Sequence, residues 1–86
     1  MNEGDKRAPT KEEIDEESRR TRRLQIAVQL ALNIISQGRI PIEEAIRLVA
    51  ATRRMALELF PGKGDAFDLI YRPKFQRLMN EVYRLQ

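Results

Sequence analysis

Eighty-six residues with a formal net charge of +3, no cysteine and no histidine set the first limits on this chain. They remove disulfide staples, thiolate metal sites, thiol catalysis, and both the commonest transition-metal ligand and the commonest general base. A core built at this length is small, and of the usual remedies (disulfide, metal, oligomerisation) only the last is left open.

Met1 to Pro9 is polar, contains glycine and proline, offers nothing to bury, and is expected to be a disordered tail. Order is expected to begin at Thr10, with Glu13 at capping-box spacing, and a single helical domain to occupy residues 10–86. Acids fill the first turns at Glu12, Glu13, Asp15, Glu16 and Glu17, where they suit the positive end of the helix dipole. Asp15–Arg19 and Glu16–Arg20 form acid-before-base pairs four apart. The first helix is read from about 11 to 37.

Within it, Leu24 to Ile35 places nine apolar residues in twelve, and no charge appears from Leu24 to Gly38. The polar positions Gln25, Gln29, Asn33, Ser36 and Gln37 cover roughly 120° of the circumference and leave about 240° mostly apolar. A helix packed on one side needs an apolar stripe only somewhat over about 100° wide. Ile26, Leu30 and Ile34 form one row, Ala27, Ala31 and Ile35 the adjoining row, and Leu24, Val28 and Leu32 complete the sheath. Two further helices cover about two of these strips. The remaining one predicts a partner interface at Ile26, Leu30, Ile34, Ala27 and Ala31, shared with a second copy as a homodimer or with another protein. Twelve positions span roughly 18 Å of helix, too short for a bilayer. The acids ahead of Arg19-Arg20 also argue against a signal peptide, so no membrane contact and a cytoplasmic location are expected.

Gly38 suits a left-handed helix end and Pro41 a first helical position, so a second, antiparallel helix is read from about 41 to 59. Its expected core face is Ile42, Ala45, Ile46, Val49, Ala56 and Phe60, flanked by Leu48, Met55 and Leu59. Pro61-Gly62-Lys63-Gly64 reads as a loop and Asp65 as the cap of a short helix, Ala66 to Tyr71, with Asp68 at the third position beyond the cap. Pro73 predicts a break or kink at Arg72. The last segment is expected to continue to about Leu85 with Phe75, Leu78, Met79, Val82 and Leu85 on its dry face. Helix three, about 66–85, is therefore split or kinked, and the fold class is an all-α bundle of three main helices.

Motifs that carry chemistry are sparse. The Gly62-Lys63 pair follows a helix and lacks both the upstream glycine and the Ser/Thr of a phosphate loop. Asp65 and Asp68 have no run of oxygen ligands around them and read as caps rather than a cation site. Glu12/Glu13 and Glu43/Glu44 have no apolar pocket to raise a pKa, and Ser18 and Ser36 have no histidine to activate them. No catalytic residue, cofactor, metal or small-molecule substrate is expected. Phe60, Phe67, Tyr71 and Phe75 gather around the loop and kink and read as a local core rather than a recognition patch.

Charge is uneven: residues 1–20 carry seven acids against five bases, and residues 21–86 eleven bases against six acids. The alternative reading is therefore a small nucleic-acid-binding or accessory protein. It would grip phosphates through Arg19, Arg20, Arg22 and Arg23, and base edges through Lys74, Gln76, Arg77, Asn80 and Arg84 on the last helix. A recognition role for helix two is disfavoured because Glu43 and Glu44 would lead it toward phosphates. The first reading is a non-catalytic protein-interaction module that self-associates through helix one.

Overall fold

A computed structural model describes residues 8–84, which fold into four α-helices: α1, Lys11–Ser36; α2, Ile42–Leu59; α3, Gly64–Ile70; and α4, Arg72–Tyr83. The protein is all-α. Residues 1–7 of the expected tail and Leu85 of the expected dry face lie outside the described residues. Ala8 and Pro9 are exposed and precede the first helix.

α1 starts as its capping residues dictate. The Thr10 hydroxyl accepts from the Glu13 backbone N–H at 3.1 Å, and the Glu13 carboxylate accepts from the Thr10 N–H at 2.7 Å. The helix ends where Gly38 takes φ +68°, a left-handed geometry that an L side chain rarely adopts. Gln37 is the cap rather than the last helical residue, and Pro41 the cap of α2 rather than its first turn. The chain reverses between them, α2 packs most extensively on α1, and α4 follows on the neighbouring side of α1. The far end of α4 is tied to the α1–α2 link: the Tyr83 hydroxyl donates to the Ile40 carbonyl at 2.8 Å.

The split of the third helix falls at Tyr71, one residue earlier than Pro73 implied. Arg72 opens α4 and Pro73 follows inside its first turn, where its missing N–H has no intrahelical partner to lose. α3 begins at Gly64, two residues before the expected start, and its cap position is Lys63, with no side-chain capping bond. The capping role read for Asp65 and Asp68 is not what the structure shows. Asp68 instead receives two hydrogen bonds from Arg53 of α2, Nε to Oδ1 at 2.8 Å and Nη2 to Oδ2 at 3.0 Å. Gly64 gives that guanidinium room, since a Cβ there would stand 2.9 Å from Arg53 Nη2.

One core draws on all four helices: Leu24, Val28, Ala31 and Ile35 from α1, Ala45 and Ala56 from α2, Phe67 from α3, and Phe75 and Met79 from α4. The aromatics Phe67 and Phe75 are buried and Phe60 and Tyr71 half-buried, so they fill the bundle at its α3 end. The expected core face of α2 needs one correction. Ile46 is 54% exposed, while Thr52, unassigned from sequence, is buried. Thr52 tolerates burial because its hydroxyl donates to the Leu48 carbonyl one turn back at 2.8 Å, leaving no polar group unpaired.

Candidate interaction surface

α1 is far longer than the bundle it joins. Its 26 residues run roughly 39 Å, within an elongated molecule measuring 56 × 21 × 16 Å. Its first buried residue is Leu24, so the preceding stretch, residues 11–23, is an arm in which Arg20 alone is even half-buried. From Leu24 onward, positions 24, 28, 31 and 35 recur at three- and four-residue steps and turn one face into the core.

On the side of α1 turned away from that core, Ile26 is 60% exposed and Leu30 57%, with Ile34 half-buried at the edge. No other helix of the described chain covers this row. The adjoining row behaves differently. Ala31 is 2% exposed and Ile35 fully buried, both within the common core, and Ala27 is half-buried. Ala31 is therefore corrected from partner interface to core, and Ala27 sits on the margin. Sequence reasoning also missed how the row continues toward the arm. Arg23 and Arg19 precede Ile26 at steps of three and four, so both lie on the same stripe and both are exposed.

The arginine cluster is dispersed. Arg19 Nη2 donates to Glu16 Oε2 at 2.8 Å, one turn back, in place of the expected pairs four apart. That bond and the charge of Arg19 hold the Glu16 carboxyl below its ordinary pKa. Arg20 is half-buried with its Nε hidden and unpaired. Arg22 lies elsewhere on the helix, lining a shallow hollow with Ile14 and Glu17. On α4, Gln76 and Asn80 line a groove toward α2, whereas Lys74 and Arg77 line a separate hollow toward α1. Arg84 is exposed in the left-handed residue that ends α4. The residues proposed for phosphates and base edges thus fall on several separate surfaces.

The second feature that sequence reasoning missed is that groove, of about 580 Å³, between α2 and α4. Its walls are Ile42, Ile46 and Val49 on one side and Phe75 and Met79 on the other, with Arg53, Asp68 and Arg72 at the end nearest α3. The sequence marks Ile42, Ile46 and Val49 as wholly core, whereas in the structure they open onto this groove. The Arg53 guanidinium holds the Asp68 carboxyl below the usual carboxylate range, and the same pairing keeps Arg53 protonated still more firmly. This ion pair clips α3 to α2. Both partners are engaged with each other, and the Asp68 carboxyl is shifted down rather than up as a general acid requires.

Among the described residues no three acidic side chains gather as a metal site, and no helix is long and apolar enough to cross a membrane. No family model, curated protein or solved structure matches this chain.

Proposed function

We propose that this protein is a non-catalytic interaction module that self-associates through the outer face of α1. The observation that carries the reading is the pair Ile26 and Leu30, one turn apart and both more than half exposed on a helix whose opposite face is fully engaged. Single exposed aliphatics are ordinary on protein surfaces, but an aligned row on a rigid helix is the form in which helices present themselves to other helices. Covering the row removes apolar area from water at about 25 cal/mol per Å². A domain this small gains proportionately from that burial. A cytoplasmic setting belongs to the same proposal. Nucleic-acid binding is the weaker reading because its candidate cations are spread over several faces rather than gathered on one.

Sedimentation equilibrium of two variants tests the assignment. Leu30→Glu places a charge in the middle of the row and is expected to reduce the assembly to single chains. Ile14→Glu makes the same change at an exposed isoleucine out on the arm and is expected to leave the mass unchanged. An unaltered mass for Leu30→Glu rules out the proposed contact.

A further inference from the structure

The exposed row has internal symmetry, and its two ends differ in charge. Ile26 and Ile34 stand four residues either side of Leu30. Toward the arm the stripe continues into Arg23 and Arg19, both exposed. Toward the other end α1 stops at Ser36 with no basic residue in its last turn, so its final carbonyls keep the negative end of the helix dipole. α4 finishes at the same end, also without a basic residue in its last turn, as the Tyr83–Ile40 bond shows. The exposed acids Glu43 and Glu44 open α2 there, with Arg39 between the two helices and Arg84 closing α4.

We propose that the stripe pairs with the same stripe of a second copy in antiparallel fashion, about a two-fold axis beside Leu30. The inference rests on the self-association reading above and specifies its geometry. Ile26 of each copy then meets Ile34 of the partner subunit, and Arg23 reaches the C-terminal end of α1 of the partner subunit. Arg19 is already answered by Glu16 of its own chain, but a parallel pair would set the Arg23 side chains of both copies side by side and bring the two carbonyl ends together, like against like at each end. Antiparallel pairing answers each Arg23 with a partially negative helix end. Such an interface is isologous and closes at two copies, so it does not propagate into a filament. The paired stretch from Arg23 to Gln37 is roughly 21 Å long. That is short for an interface of about 800 Å² per partner, so the two copies exchange readily.

The natural absence of cysteine makes site-directed spin labelling clean. Gln29→Cys and Ser18→Cys each introduce one thiol at an exposed polar position outside the row. The distance between labels on the two copies is measured at a concentration where the wild type sediments as a dimer. In the antiparallel pair the two Gln29 positions lie close to the axis, while the two Ser18 positions are offset by roughly 36 Å along the helix direction. The Ser18 labels are therefore expected to be farther apart than the Gln29 labels by about 15 Å or more. Short distances at both positions mean parallel pairing and overturn this geometry, while leaving α1 as the contact. Ser18 labels closer than Gln29 labels mean that the arms pair instead, which overturns it as well. A dimer without a short Gln29 distance forms on another face and overturns both this geometry and the proposed function. A wild type that never dimerises overturns the proposed function itself.

Discussion

The two halves of α1 are one continuous helix held by different physics. Residues 11–23 bury almost nothing, and their helicity rests on the Thr10–Glu13 capping box, acids in the first turn and the Glu16–Arg19 pair. Residues 24–36 carry no charge and give the core Leu24, Val28, Ala31 and Ile35. Isolated helices of this length are marginal in water, so the arm borrows its persistence from the nucleus that the packed half supplies. Local hydrogen bonds and ion pairs are enough to extend a helix once tertiary burial has started it. Only the packed half has an aligned row of exposed apolar side chains, Ile26 and Leu30, whereas the arm exposes the single isoleucine Ile14.

The contrast breaks hardest at the core. Ile35→Ala is expected to cost about 2–5 kcal/mol in denaturant unfolding, because the side chain is fully buried. The same truncation at Ile26, measured on dissociated single chains, is expected to stay within about 0.5 kcal/mol. Equal losses at the two sites would mean that the outer row is covered by its own chain. Next in size is the arm. Thr10→Ala removes one half of the capping box and is expected to weaken the helix start by about 1 kcal/mol. Faster amide exchange over the first turns, with the global melting temperature unchanged, is the expected signature. A fall in the melting temperature as large as that from a core truncation would show the arm to be cooperative with the bundle.

The smallest effect belongs to the clip between α2 and α3. The Asp68 carboxyl is held below its ordinary pKa by the hydrogen bonds and charge of Arg53. Its contribution is therefore fully present above the unfolded carboxylate range, near about pH 4, and fades as pH falls through the lower folded value. Asp68→Asn is expected to lower the melting temperature slightly at neutral pH and to bring wild type and variant together in acid. A gap that widens on acidification contradicts the pairing. The effect is modest because both side chains remain partly in solvent.

What could be read from the sequence follows the same division between local and distant causes. The capping box, the Gly38 turn, the antiparallel reversal and the break near Pro73 depend on residues within a few positions of one another, and each appears where its residues put it, within a residue or two. The Arg53–Asp68 pair spans 15 positions and the Tyr83–Ile40 bond 43, so neither leaves a trace in local spacing. Asp68 looked like a helix-start residue because its long-range partner was invisible. Ile46 is misplaced, and Thr52 goes unassigned, for a related reason: hydrophobicity says that a residue prefers burial, not which face of α2 meets a neighbour. α1 was the easier case, since an apolar circumference wider than two packed helices can cover is a property of the helix itself. The groove between α2 and α4 depends on how far those helices stand apart, which no spacing within either records.

Everything turns on whether the outer row of α1 meets a second copy, and the molar mass of the wild-type protein in solution asks this most directly. Sedimentation equilibrium over a range of concentrations, at low and at high salt, is expected to approach twice 10.1 kDa in both. Burial of an aliphatic row is little screened by ions, so the two salt conditions should differ only slightly. A mass that stays at 10.1 kDa across the whole range contradicts the account.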